Sequence, residues 1–284
     1  MSEVHLDFDA RSDQLVAYAS LLGAVREVIG SRRLTITALP DWLGRPGFGA
    51  VRSTVDVYVM QVHWLEPPRH EEDPLSLMSA AQTRAWVDAA SALGSPFRVA
   101  LPTYGYRVGY DARSGVAVGV HAEQGRAPRG TRWREVRADP AEIAPLVAAW
   151  SADRPVGLEG LSWYRLPVAG DALNWRWETL AAVMEGVVPQ PGLVAVVQSE
   201  GALSEVVVRN QGTAGAAVGA VSVTVPAGAA VVAADGLGGV RWDGHDFVAG
   251  GPVWVAPGEE QVIGWLRLSA PVVPEVVLRR PHPD

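Results

Sequence analysis

Carboxylates that lie in or directly after apolar runs are the first residues of this sequence that could do chemistry. Asp7 and Asp9 lie in the β-prone run Val4–Asp9, and residues two apart on a strand point to the same side. Two carboxylates in one confined site can act as acid and assisting carboxylate in the cleavage of a glycosidic bond. In the alternative interpretation, both cap the next helix or pair with arginine. Asp41 follows a later apolar run, where it joins the site or caps a short helix.

Polar and aromatic side chains follow further apolar runs. Gln61 and His63 share one face at the end of a run, and an amide with an imidazole could hold sugar hydroxyls. Tyr104 follows the next run, and Trp163 and Tyr164 end another. Because aromatic faces bind the apolar C–H faces of sugars, this set predicts a glycan cleft. The alternatives are a histidine satisfied by hydrogen bonds within the fold, and aromatic residues that pack in the core or at its rim.

The composition argues against several classes of partner. The net charge of −7 gives no basic footprint for nucleic acid. The six histidines show no paired ligand spacing, so we predict no metal site. Phosphate-loop, nucleophile-elbow and dinucleotide-binding motifs do not occur, and we predict no cofactor. A carbohydrate is the partner that the sequence favours, and it indicates no particular oligomeric state.

Three features concern the compartment, which the sequence does not determine. Cysteine is absent, so the sequence offers neither disulfides nor thiolate chemistry. No apolar run reaches the roughly 18 residues of a membrane-spanning helix. The opening residues Met1-Ser2-Glu3 show no signal-peptide pattern, so such a segment is expected only in a region preceding them.

Alternating strands and helices must position the candidate residues. The predicted strands are Val4–Asp9, Leu34–Leu39, Val55–Val62, Phe97–Leu101 and Leu158–Trp163. The predicted helices are Ser12–Ile29, Pro46–Ser53, Ser79–Leu93, one opened by Asp139-Pro140-x-Glu142, and Asn174–Glu185. This alternation implies a parallel sheet, either open or part of a barrel, whose site lies at the carboxyl ends of the strands. Residues 104–137 interrupt the pattern and are interpreted as a hairpin inserted over those ends.

After the linker Pro189–Gly192 the pattern changes. Short runs rich in valine and alanine, split by glycine and proline turns, predict a β-sandwich. They are Leu193–Gln198, Ser204–Arg209, Gly219–Val225, Ala229–Ala233, Val253–Val255 and Gln261–Leu268. The sequence therefore predicts an α/β domain over residues 1–188 and an all-β domain over residues 189–284.

Five stretches of the α/β domain resemble a bacterial family catalogued as domain of unknown function 3142. They are Val4–Asp9, Thr35–Leu43, Val55–His63, Arg98–Gly105 and Gly160–Pro167. The same motifs are similar, more distantly, to the last five strands of chitinase-like family 18 glycoside hydrolases. That resemblance implies an incomplete TIM-type barrel of about five strand–helix units, corresponding to units four to eight, with three units expected upstream of Met1.

The more distant resemblance also implies roles for residues. It makes Asp7 and Asp9 the counterparts of the two aspartates in the Asp-x-Asp-x-Glu motif of the hydrolases. The other counterparts are Gln61, His63 (where the hydrolases have tyrosine), Tyr104 and Trp163. Arg11 stands at the position of the catalytic glutamate, and an arginine cannot donate a proton near neutral pH. Glu66 and Glu159 are candidates to replace that acid.

Two functions follow. The first is a glycoside-hydrolase-like enzyme with Asp7 and Asp9 as its acid pair. Its substrate-binding residues would be Gln61, His63, Tyr104, Trp163, Tyr164 and Asp41. The second is a non-catalytic glycan-binding or scaffold protein on a degenerate barrel, which Arg11 favours.

Overall fold

The computed structural model describes residues 2–66, 68–122, 130–168, 171 and 173–279, except for the side chains of residues 251 and 252. The chain divides into two compact units. The first contains the residues up to Trp175 together with Val183–Val187, and the second contains Arg176–Ala182 together with the residues from Val188 onward.

Before residue 188 the chain alternates strands with helices. In order, the elements are β1 (Glu3–Leu6), α1 (Leu15–Ile29), β2 (Arg33–Ala38), α2 (Phe48–Thr54), β3 (Val57–Gln61), α3 (Ala80–Ala92), β4 (Phe97–Pro102), β5 (Gly105–Asp111), β6 (Ala117–His121), β7 (Thr131–Arg137), α4 (Pro140–Ala152), β8 (Leu158–Tyr164) and α5 (Trp177–Met184). A 3-10 turn at Pro40–Trp42 follows β2. Five strands form one parallel sheet in the order β1-β2-β3-β4-β8. The protein is a mixed α/β protein, and this sheet with its helices is consistent with part of a βα barrel.

One face of the parallel sheet is apolar and buried. Leu34, Ile36, Tyr58 and Phe97 on this face are at most 1% exposed. Aromatic rings from the strands, loops and helices form a continuous row, with neighbouring centroids 5.3 to 6.0 Å apart. The row consists of Phe8, Tyr18, Trp42, Phe48, Tyr58 and Phe97. Burial of these rings holds the helices and loops against the sheet.

The opposite face of the same sheet is polar and curved. His5 lies between two threonines of β2, with Nδ1 2.8 Å from Thr35 Oγ1 and Nε2 3.1 Å from Thr37 Oγ1. Arg98 of β4 binds Glu3 of β1 at 2.9 Å. A flat sheet would place these two strands about 14 Å apart, because three strand spacings separate them. The sheet therefore curves towards its polar face.

The first strand is shorter than its sequence predicts. β1 ends at Leu6 because Phe8 leaves the strand to join the aromatic row, and the amide of Ala10 donates to the Phe8 carbonyl at 2.9 Å. The expectation that Asp7 and Asp9 share one strand face is therefore wrong, since both lie in the loop after the strand.

Three helices begin at least two residues later than predicted, and one of them is α2, which begins at Phe48 rather than Pro46. α1 begins at Leu15 rather than Ser12, after a residue that provides no side-chain cap. α5 begins at Trp177 rather than Asn174, because the Asn174 amide donates to the carbonyls of Arg165 and Leu166 instead of starting a helix.

The insertion between β4 and α4 is a three-stranded antiparallel sheet in the order β6-β5-β7. The hairpin expected over residues 104–137 is one strand too small, because β6 and β7 each pair with the middle strand β5 and not with each other. The middle strand β5 was not predicted, because its two glycines and one arginine interrupt the alternation of apolar residues. Part of the predicted insertion, residues 123–129, lies outside the described residues.

The second unit contains two four-stranded antiparallel sheets, in the orders β12-β15-β10-β9 and β13-β14-β11-β16. Its strands are β9 (Leu193–Glu200), β10 (Leu203–Asn210), β11 (Ala216–Thr224), β12 (Val231–Gly236), β13 (Val240–Trp242), β14 (Asp246–Val255), β15 (Glu260–Leu268) and β16 (Glu275–Arg279). One buried cluster combines side chains from both sheets, among them Val206, Ile263, Val221 and Phe247. A Cβ on Gly264 would lie 2.1 Å from Phe247 Cε1, so this packing requires glycine. β13, β16 and the first part of β14 were not predicted.

Candidate functional site

The carboxyl ends of the five parallel strands face the same edge of the sheet. Most of the predicted site residues lie at these ends or just after them. They are Asp7 and Asp9 after β1, Asp41 after β2, Gln61 and His63 at the end of β3, Tyr104 after β4, and Trp163 and Tyr164 at the end of β8.

His63, Tyr104 and Tyr164 form a ring cluster at this edge. The His63 imidazole stacks on Tyr164 with centroids 5.5 Å apart and planes at 19°, and it meets Tyr104 edge-on at 5.5 Å. Tyr104 and Tyr164 are themselves 5.4 Å apart at 87°. The cluster forms because β3 pairs with β4 and β4 pairs with β8, so residues at the ends of three neighbouring strands converge.

The imidazole of His63 is buried and electrically neutral. His63 is 2% exposed, and its Nδ1 lies 3.1 Å from the Tyr104 hydroxyl. Burial lowers the pKa of His63 to about 4, and burial also raises the pKa of the Tyr104 phenol above its ordinary value. The buried Nε2 has no hydrogen-bond partner among the described residues. Leaving such an atom unpaired costs about 1–3 kcal/mol, so Nε2 is an atom that a ligand could satisfy.

Two further side chains complete the surroundings of the imidazole. The half-buried Gln61 donates from Nε2 to the His63 carbonyl at 3.1 Å, which fixes the backbone that carries the ring. The Tyr106 ring lies 5.3 Å from Tyr104 at 87°. Tyr106 was not among the predicted site residues. Its position two residues after Tyr104 at the start of an extended strand is the signal that could have found it.

A set of hydrogen bonds holds the end of β8, where Tyr164 lies. The Thr103 hydroxyl donates to the Arg165 carbonyl. The Asn174 amide donates to the same carbonyl at 3.1 Å and to that of Leu166 at 3.0 Å. Arg165 also pairs with Asp171 at 2.5 Å. These contacts fix the segment that positions Tyr164, and no pattern in the sequence predicts them.

Trp163 and Tyr164 point to opposite faces of the sheet. Trp163 pairs with Leu101, which is fully buried on the apolar face, whereas Tyr164 pairs with Pro102. Because strand residues alternate, only one of these two aromatic side chains can reach the cluster. The structure brings Tyr164 to His63 and leaves Trp163 on the other side.

The two predicted acids lie on the surface beside an open cleft. Asp7 and Asp9 are both exposed, and Asp9 lines a cleft of about 500 Å³ together with Leu39 and Arg45. Both carboxylates lie near Tyr18. Burial, with smaller contributions from these two charges, raises the pKa of Tyr18 to about 12.

Arg11 and Asp41 line or flank the same cleft. Arg11 forms two hydrogen bonds with Asp13, at 2.9 and 3.1 Å, and both side chains are exposed. Asp41 accepts a hydrogen bond from the Ser12 hydroxyl. The arginine at the expected acid position is thus engaged in a surface ion pair.

The two substitute acids occupy different ends of the sheet. Glu66 is exposed and follows β3. Glu159 lies near the amino end of β8, where it pairs with Arg33 at 2.8 Å. The expectation that Glu159 could replace the missing acid is wrong, because it lies at the other end of the strand from the candidate site.

Two kinds of structure are absent from the described residues. Residues 2–66, 68–122, 130–168, 171 and 173–279 contain no group of three or more histidine, aspartate or glutamate side chains arranged to hold a metal ion. No helix within this part of the chain has the length and apolar character to cross a membrane.

The fold and the site define a mixed α/β protein with a polar and aromatic cluster at the carboxyl ends of a parallel sheet. The family model described as "Domain of unknown function (DUF3142)" matches residues 1–169. The chain belongs to this family, which confirms the prediction from the five sequence motifs. Comparison with curated proteins gives no match.

Solved structures similar to the chain include chitinases and a cortex-lytic enzyme. A chitinase from Chromobacterium violaceum is 16% identical with a TM-score of 0.44, over 65% of this chain and 66% of that one. The spore cortex-lytic enzyme SleL from Bacillus cereus is 15% identical with a TM-score of 0.42, over 59% and 46%. Chitinase ChiA74 from Bacillus thuringiensis is 10% identical with a TM-score of 0.41, over 97% and 74%. The chain thus spans less than two thirds of the length of the first two.

Proposed function

We propose that the chain binds a neutral glycan at the carboxyl ends of its parallel strands. The observation that carries the proposal is the buried Nε2 of His63, which has no hydrogen-bond partner among the described residues and belongs to a ring that stacks on Tyr164. A buried polar atom without a partner marks a place where a ligand group can form the hydrogen bond that the fold leaves unmade.

The chemistry of the cluster suits an uncharged sugar. At pH 7 the imidazole and the Tyr104 phenol are both neutral, and Gln61 adds an amide. Tyr164 is 54% exposed, so ligand can reach part of its ring. A sugar would place apolar C–H groups on this ring and a hydroxyl or amide group near Nε2.

The test measures binding of a panel of soluble neutral polysaccharides by calorimetry. Tyr164→Ala is expected to weaken binding by about 5- to 30-fold, the equivalent of 1–2 kcal/mol. Trp64→Ala is the matched control, because Trp64 is also about half exposed and follows His63 directly but packs on Trp86. Equal affinity of the Tyr164→Ala and Trp64→Ala variants would overturn the proposal.

A second candidate function is hydrolysis of the bound glycan. Asp9 lines the open cleft and Asp7 lies in the same loop, so a carboxylate pair is available near the strand ends. The same panel is assayed for released reducing ends. Turnover by the unaltered protein that is lost in Asp9→Asn, with binding retained, supports the enzyme. Binding without turnover in the unaltered protein and in Asp9→Asn supports a non-catalytic glycan-binding protein.

We also propose that the parallel sheet is an arc of a TIM-type barrel, and that the two antiparallel sheets form a sandwich. Ion pairs that cross the curved polar face support the arc, and a buried cluster that combines side chains of two sheets supports the sandwich. The corresponding domains would be residues 1–188 and 189–284.

A further inference from the structure

Four charged side chains form a continuous network on the polar face of the parallel sheet. Arg98 donates to the two oxygens of Glu3 at 2.9 and 3.2 Å. Arg33 donates to the two oxygens of Glu159, both at 2.8 Å. Arg98 also lies 3.8 Å from Glu159, so the two ion pairs are linked. We call these four residues the cross-sheet network.

The pairs of this network join strands that do not pair with each other. Arg98 of β4 reaches Glu3 of β1, and Arg33 of β2 reaches Glu159 of β8. Each pair spans three strand spacings, which is about 14 Å in a flat sheet. In a flat sheet the two side chains of a pair would stand nearly parallel to each other and would not meet. They meet because the sheet is curved, so each ion pair fixes the curvature that allows it.

The network acts where the backbone restrains the sheet least. β1 has only four residues. It lies at one edge of the sheet formed by the described residues, where it pairs with β2. The carboxylate of Glu3 also accepts a hydrogen bond from Thr35 at 3.2 Å. The hydrogen bonds from Arg98 lower the pKa of Glu3, so this carboxylate is charged at neutral pH. All four charged side chains are between 26% and 44% exposed, so solvent screens them only in part.

We infer that Arg98 is a positioning residue for the candidate site. By holding Glu3, it fixes β1 and the acidic loop after it relative to the His63 cluster at the ends of β3, β4 and β8. The expected effect on glycan binding rests on the proposed function. The expected effect on the curvature of the sheet rests on the geometry of the sheet alone. Loss of the guanidinium should open the curve, which would move Asp7 and Asp9 away from the cluster.

The structural test measures a distance between spin labels. The sequence contains no cysteine, so labels attach only to introduced ones. Gln14→Cys and Val168→Cys, both exposed and placed after β1 and β8, report the opening of the sheet by pulsed electron paramagnetic resonance. Arg98→Gln is expected to lengthen and broaden the distance distribution. Arg26→Gln is the control, because it removes an ion pair of similar exposure, with Asp56, that does not cross the sheet.

The functional test compares loss of the charge with its retention. Arg98→Gln is expected to weaken binding of the panel glycan by about threefold to tenfold. Arg98→Lys keeps a positive charge beside Glu3 and Glu159, so it should retain part of both the distance and the affinity, which a merely destabilising change would not. An unchanged distance in Arg98→Gln overturns the inference. If the unaltered protein binds no glycan, the proposed function fails, but the distance measurement still decides whether Arg98 fixes the curve.

Discussion

At the scale of single residues, the buried imidazole of His63 makes stability depend on pH. Its pKa is about 4 in the folded chain against 6.5 when exposed, so the unfolded chain binds more protons between these values. The contribution of the neutral ring is complete above pH 6.5 and is lost as the pH falls towards 4. The total loss is expected to be about 3 kcal/mol.

Urea unfolding at several pH values between 7 and 4 tests this expectation. His63→Gln cannot titrate, so its stability should fall less steeply over this range than that of the unaltered protein. The exposed His70 provides the control, since His70→Gln should keep the original slope. Identical slopes in all three proteins would show that the imidazole of His63 is not held neutral by burial.

The sequence predicts which residues lie at the strand ends of the site. It does not predict to which face of the sheet each side chain points. Gln61, His63 and Tyr104 were found because they follow apolar runs, and parallel strands bring such positions to one edge. The choice between Trp163 and Tyr164 depends on the phase of β8 against β4, whose pairing shifts register at Phe97 and Arg98. A shift in pairing is set by tertiary packing and leaves no pattern in the sequence.

At the scale of elements, the first turn of α4 gives a prediction about helix capping. Asp139 accepts a hydrogen bond from the amide of Ala141 at 2.8 Å, and Pro140 occupies the first turn. Asp139→Ala is expected to cost about 1 kcal/mol of unfolding free energy. Ser79→Ala at the start of α3 should cost less, because the hydroxyl lies 3.4 Å from the amide of Gln82. Thermal unfolding measures both, and equal losses would contradict the ranking.

Capping signals and apolar periodicity explain why most elements could be predicted. Three such signals agree with the structure. Helices start after Ser79 and at Asp139-Pro140, and a helix ends at Ile29, directly before a glycine. The end of β1 could not be predicted, because nothing local distinguishes Phe8 in a strand from Phe8 packed on Tyr18. The same holds for β5, whose position is fixed by pairing with strands on both sides.

At the scale of the whole molecule, each of the two units has its own buried core. Leu22 is fully buried in the first unit, and Phe247 packs over Gly264 in the second. Compact units with separate cores can unfold in separate cooperative steps. A change in one core should therefore lower the stability of its own unit.

Calorimetric unfolding of two core variants tests this independence. Leu22→Ala leaves a cavity and should cost about 2–5 kcal/mol in one transition. Gly264→Ala places a Cβ 2.1 Å from Phe247 Cε1 and should cost about 1–3 kcal/mol in the other. Gly160→Ala is the control, because its Cβ would meet no atom within 4 Å. If both core variants shifted one common transition, the two cores would have to be parts of a single cooperative structure.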